Sequence, residues 1–216
     1  MVSFSQGNVC CHITGKEKTM KRIILTAAAM AIMAIPAVAP AATWNIDPDH
    51  SNIGFRVRHM MVTNVKGEFG KFKGSVTLDE QDITKSKVEV TIDTASVDTR
   101  VAKRDDDLRS PNFLDVARFP TMSFVSRKVE KAGAGKLRVT GDLNLHGVTR
   151  EVVLDVEGPT AEGKDPWGNM RRGASAATQI NRKDFGLTWN KTIETGGVLV
   201  GDEVNIMLEV ELIKAK

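Results

Sequence analysis

His50, His59 and His146 are the histidines downstream of the N-terminal segment, and they are the first side chains to weigh for chemistry. Zinc sites bring their ligands at short, recurrent spacings, and these three match none of them. His146 lies in the hairpin link Leu145-His146-Gly147, and His50 follows Asp47-Pro48-Asp49. Both read as polar residues bonding nearby backbone. Asp105-Asp106-Asp107 lacks the alternating ligands and the glycine of a calcium-binding loop. On a helix, consecutive carboxylates fan out around the axis, so these read as a solvated face pairing with Arg104 and Arg109. The chain has no nucleophile elbow, zinc-protease motif, phosphate loop or dinucleotide fingerprint. Cys10 and Cys11 are its only cysteines, and both precede a candidate export signal. The expectation is a protein with no catalytic residue, no metal and no cofactor.

What remains is a container, and the hydrophobic pattern says how it is built. From Leu137 to Leu145 the apolar residues Leu137, Val139, Leu143 and Leu145 alternate with Arg138, Thr140, Asp142 and Asn144. After the His146-Gly147 link, Val152, Leu154 and Val156 alternate with Glu151, Asp155 and Glu157. A period of two puts one set on each face of a strand, so this is a β-hairpin with an apolar face. A lone hairpin cannot bury that face. Further strands are read at Trp44–Asp47, Ser51–His59, Val65–Leu78, Lys87–Asp93, from Pro120 onward, at Ala174–Ile180 and at Val204–Leu212. Gly67, Gly70 and Gly74 mark bends within the third of these, which a curling sheet requires. Between Val101 and Ser110 the alternation stops, which predicts one short polar helix. The fold class is all-β: an antiparallel eight-stranded barrel with one short helix near one end.

An eight-stranded barrel is filled by side chains or holds one small ligand. The inward set comprises Ile53, Phe55, Val57, Phe69, Phe72, Val90, Ile92, Phe124, Leu143 and Leu145, a lining suited to an apolar chain. Ordinary core packing would give the same pattern. Met60, Met61, Met122, Met170 and Met207 add adaptable apolar contacts.

The N-terminus is set aside from the fold. Lys21-Arg22, an apolar run from Ile23 to Ile35 and the small residues Pro36–Ala42 have the three parts of a secretory signal. The run is short for a membrane span. Residues 1–19 read as an upstream extension, 20–41 as a signal peptide cleaved after Ala41, and 42–216 as the domain. The leader carries Lys16, Lys18, Lys21 and Arg22 against Glu17, a net +3 that accounts for the whole +3 of the chain. The domain is therefore formally neutral, which gives no support for nucleic-acid binding. No stable membrane span is expected after cleavage, and a homodimer is left open.

Four stretches resemble the YceI-like proteins, exported bacterial domains with a lipocalin-like barrel. They are Trp44 through Ile46-Asp47, His50-Ser51 and Phe55 to His59-Met60 and Gly67-x-Phe69; Arg104-Asp105 through Leu108, Ser110, Phe113 and Asp115 to Phe119-Pro120 and Phe124; Gly141 through His146-Gly147 to Thr149; and Asn181-Arg182-x-Asp184-Phe185-Gly186. The resemblance implies a periplasmic protein holding a polyisoprenoid, or a similar amphiphilic or quinone-like lipid, with no established catalytic residues. Family members often carry histidine where this chain has Asp107, and an aromatic where it has Leu114. With a long apolar tail in the barrel, the polar end would meet the rim, where His59, Arg104 and Arg109 are the candidates. The competing expectations are an enzyme acting on a bound lipid or quinone through His59 or an Asp of the second stretch, and a stress-associated structural domain with a filled core.

Overall fold

The computed structural model describes residues 41–194 and 196–216. The extension and nearly all of the signal peptide read from the sequence lie outside the described residues. Among those described, no helix is long and apolar enough to cross a membrane.

The chain forms β1 (Ala42–Ile46), β2 (Asn52–His59), β3 (Thr63–Phe69), β4 (Phe72–Leu78), β5 (Lys87–Asp93), β6 (Val97–Asp98), helix α1 (Ala102–Arg109), β7 (Thr121–Gly133), β8 (Lys136–Leu145), β9 (Val148–Glu157), β10 (Gly163–Lys164), β11 (Met170–Asn181) and β12 (Val200–Lys214). Eight of these strands close into an antiparallel ring in the order β1-β4-β5-β7-β8-β9-β11-β12, with β12 returning to β1. Closure gives each ring strand a ladder partner on both sides over at least part of its length, the β9–β11 seam being three pairs long.

The ring is not uniform along its length. One edge of β12 pairs with β11 from Glu203 to Ile213. Its other edge pairs with β1 through Leu212–Lys214 and with β2 through Val200–Glu209. Near Lys214 the wall therefore continues as β1-β4-β5, and near Val200 it continues as β2-β3-β6. The sequence read Val65–Leu78 as one bent strand. Instead Gly70-Lys71 is a break at which the chain changes partner, leaving β2 for β1 and β5. The glycine signal was real, but it marks a switch between ladders.

Beyond the short β6, α1 and the turn after it continue the wall toward β7. A helix of eight residues is marginal alone. Here Arg109 donates to the carbonyls of Ala95 and Val97 at 2.8 and 2.7 Å. Asp105 accepts from the Thr99 N–H and hydroxyl at 2.8 and 2.5 Å, and Arg104 reaches the Thr99 hydroxyl and carbonyl. Asp105 is thus buried, unlike the solvated carboxylate expected from the sequence; Asp106, exposed and beside Arg109, fits that expectation.

One end of the ring is plugged. Trp44, fully buried, has the Arg172 guanidinium 5.1 Å and the Lys214 ammonium 5.3 Å from its ring. Glu162 pairs with both cations. These residues stand one layer outside Ile46, Leu212 and Ala174 on the inward faces of β1, β12 and β11.

Candidate functional site

The ring encloses a cavity of about 300 Å³ whose exposed surface is entirely apolar. That volume is at the lower end of ligand pockets and many times that of a packing defect. Its walls run from Leu137 to Leu145 along β8 and from Leu212 to Val200 along β12. At the rise of a strand, the β8 run alone spans about 27 Å, so the cavity is a narrow tunnel along the barrel.

All ten inward residues expected from the alternation line this tunnel: Ile53, Phe55 and Val57 of β2, Phe69 of β3, Phe72 of β4, Val90 and Ile92 of β5, Phe124 of β7, and Leu143 and Leu145 of β8. Phe55, Phe69, Phe72 and Val90 are only partly buried, although they sit on the inward face. A core residue that keeps accessible surface there is facing a void.

Three local features keep the lumen open. Phe124 is seated over Gly141, where a Cβ would stand 2.5 Å from the ring tip. Phe55 is seated in the same way over Gly67. The inward face of β11 carries Ala174, Ala176 and Thr178, small residues beside the longer Leu208 and Ile206 of β12, which pair with the last two. Residues 174–180 were legible as a small-residue strand, but their consequence, an unfilled interior, was not drawn from the sequence.

Arg182 also touches the tunnel, and the sequence singled it out only as part of a motif. It is 4% exposed. Its guanidinium donates to the carbonyls of Leu187, Trp189 (2.9 Å), Gly201 (2.9 Å) and Val200 (3.4 Å) and faces Asp202 at 3.3 Å. Burial lowers its pKa, and the Asp202 charge opposes that shift. A planar fork with every N–H directed at a carbonyl or carboxylate suits such a site and leaves no donor for a ligand. It ties the segment after the short 3₁₀ turn Arg182–Phe185 onto the start of β12.

The three rim candidates separate. Arg104 and Arg109 do not line the tunnel; each donates through Nε and Nη2 to carbonyls or a hydroxyl next to β6, and Arg109 Nη1 faces Asp106. His59 continues the inward parity of Ile53, Phe55 and Val57, one step beyond the last lining residue of β2. Among the described residues the other two histidines lie against local partners: His50 Nδ1 is 2.8 Å from Asp47 Oδ2, and the His146 ring packs tilted against that of Phe119, 4.4 Å between centroids.

Asp47, His50 and Glu211 bring three possible metal-ligating groups together outside the barrel. Arg171 already sits among them, 2.7 Å from Asp47 and 2.5 Å from Glu211, and binds Asp165 at 2.7 Å. A guanidinium in that position supplies the positive charge a cation would bring. Burial raises the Asp47 pKa, and hydrogen bonds from Arg171, His50 and the Asp49 backbone more than reverse it. The Arg171 bond, with further bonds from Asn169 and the Trp167 backbone, holds the Asp165 carboxyl well below the usual carboxylate range.

The YceI-like domain model matches residues 44–212. A UPF0312 protein of Vibrio cholerae is 40% identical over 170 residues, which is 78% of this chain and 89% of the relative. Another from Shewanella denitrificans is 41% identical over 170 residues, 78% of this chain and 88% of the relative. Among solved structures, the Campylobacter jejuni YCEI protein matches with TM-score 0.63 and 32% identity over 73% of this chain and 90% of its own. Burkholderia cenocepacia BcnA shares the fold with TM-score 0.66 and 24% identity, over 77% of this chain and 98% of its own. A polyisoprenoid binding domain from Saccharophagus degradans does so with TM-score 0.57 and 15% identity, over 81% of this chain and 99% of its own. From Trp44 to Leu212, in fold and in sequence, this chain belongs to the YceI-like family.

Proposed function

We propose that the protein is a periplasmic carrier that holds the apolar chain of a long isoprenoid or similar amphiphile in its barrel. The observation that carries this reading is the open, wholly apolar tunnel. The name of the Saccharophagus domain, which shares only the fold, suggests polyisoprenoids as the chain class to test first. The candidate signal in residues 20–41 supports export. The Trp44 end is plugged, so the chain threads tail-first from the Val57 and Val200 end. The head group stays outside, near His59, because no polar surface faces the lumen.

Magnitudes favour a long chain. Each methylene buried contributes about 0.8 kcal/mol, so about ten give about 8 kcal/mol. Association costs are of the same order, roughly 4–15 kcal/mol. A short chain therefore breaks even, and only one that fills the tunnel is retained. Binding is proposed in preference to turnover, since the lining residues among those described include no carboxylate, histidine or lysine.

The test is organic extraction and mass spectrometry of the protein purified from the periplasm. A stoichiometric long-chain lipid is expected, and it should be missing from a folded Phe55→Glu, Phe124→Glu variant. A wild-type extract without lipid, or equal recovery from the variant, would refute the reading.

A further inference from the structure

The link between β2 and β3 is a three-residue reversal, Met60 to Val62, closed by the His59–Thr63 pair, in which the Val62 N–H donates to the His59 carbonyl. Its first two residues, Met60 and Met61, are left-handed, with φ of 49° and 59°. Asparagine and glycine suit such a turn, whereas methionine is disfavoured there. The sequence nevertheless places Met60, Met61 and then Val62 at this tip, 43%, 50% and 73% exposed. Three successive apolar residues presented to water on a disfavoured backbone are a feature that stability does not explain.

Cations flank the tip, while on the adjoining stretch of β12 Asp202 is paired with Arg182 and Lys183 and Glu203 is exposed. Arg58, exposed, donates to the Met61 carbonyl at 2.9 Å, and Lys66 lies on the same hairpin, also exposed. Met60 N–H bonds the Leu199 carbonyl, and Leu199 N–H bonds the carbonyl of exposed Lys191. Glu194, also exposed, is the acidic residue of that facing segment. The tip stands beside Val57 and Val200, the last tunnel-lining residues of β2 and β12.

We infer that the Met60-Met61-Val62 tip docks the barrel on an anionic lipid surface, the apolar residues entering the interface and the flanking cations meeting head groups. This extends the carrier reading and rests on it for its purpose, because docking there brings the end of the tunnel away from buried Trp44 to the lipid. Trp167, 80% exposed, stands beside the opposite end of β12 and cannot share that surface, which makes it an internal control.

The test uses the full chain with Cys10→Ser and Cys11→Ser, an environment-sensitive fluorophore on Met61→Cys, and phosphatidylcholine vesicles with or without phosphatidylglycerol. Docking predicts a blue shift and protection from an aqueous quencher on the anionic vesicles, weakened by salt. In unlabelled protein, Met60→Asn with Met61→Gly should lower vesicle partitioning about tenfold while raising the melting temperature. Trp167→Ser should leave partitioning unchanged. The N-terminal segment is present in every variant, so the differences report the tip. A label unmoved by anionic vesicles, or one that shifts only when the protein self-associates, overturns the proposal. Lipid extracted from the same samples separates the two ideas: a loaded barrel with an unmoved label sinks docking alone, and a docking tip on an empty barrel sinks the carrier reading alone.

Discussion

Phe55 and Gly67 face each other across the β2–β3 ladder, and the absent side chain of Gly67 is the space the Phe55 ring occupies. A Cβ at position 67 would stand 2.7 Å from Phe55 Cε1 and 2.8 Å from Thr99 Cγ2. The ring also packs against Phe69, 5.6 Å between centroids. The open lumen thus depends on a glycine that no lining residue would identify.

Gly67→Ala is therefore expected to push the Phe55 ring inward. Overpacking of this kind costs about 1–3 kcal/mol. Denaturant unfolding should show that loss, and lipid recovery should fall with it. The double variant Gly67→Ala, Phe55→Leu should regain part of both.

Filling the tunnel from the other wall should have the opposite effect on stability. Ala176 faces the lumen from β11, paired with Val156 and Leu208. Ala176→Leu adds apolar atoms to a void, a gain of up to about 2 kcal/mol in lipid-free protein. A higher melting temperature together with lost lipid binding is the expected pair of results. A wild-type-like lipid content would mean that the ligand lies elsewhere.

Arg182 should prove structural. Removing it leaves the carbonyls of Leu187, Trp189, Val200 and Gly201 without their donor. Arg182→Met is expected to destabilise the fold by about 3–5 kcal/mol, and lysine should rescue little because it lacks the fork. Hydrogen exchange should show the loss concentrated between Leu187 and Gly201.

Asp165 gives the fold an acid limit. Its pKa in the folded chain is depressed, whereas the unfolded value is about 3.9. A depressed carboxylate stabilises the native state above the unfolded pKa, and the contribution fades as pH falls through the folded value. Asp165→Asn should therefore be less stable than wild type at neutral pH, with the gap closing below about pH 4. Melting curves across that range check it; a gap independent of pH would contradict the assignment.

Much of this was legible in the sequence, and for a definite reason. A period of two is a direct record of which face is buried, so Phe124, Leu143 and Leu145 could be placed inside from their spacing alone. The single break in that rhythm located α1. Pairing was less legible. Nothing local to residues 200–214 says that one edge of β12 serves both β1 and β2, and Gly70 reads identically as a bend or as a change of partner. Polar burial was hidden too: Asp105 and Arg182 look like surface residues until Thr99 and the carbonyls around Gly201 are brought to them by distant pairings. Whether the interior was filled turned on volumes, to which Ala174 and Ala176 contribute by what they lack.

The central claim, that the lumen takes an apolar chain and nothing else, is tested most directly by a chain-length series. Calorimetric titration of delipidated protein with isoprenoid alcohols of increasing length should show affinity rising about fourfold per buried methylene, with negative heat-capacity changes, until the tunnel is full. Beyond that length the affinity should level off, and the Ala176→Leu variant should level off earlier or bind none. Affinity that ignores chain length, or follows the head group alone, would contradict the account.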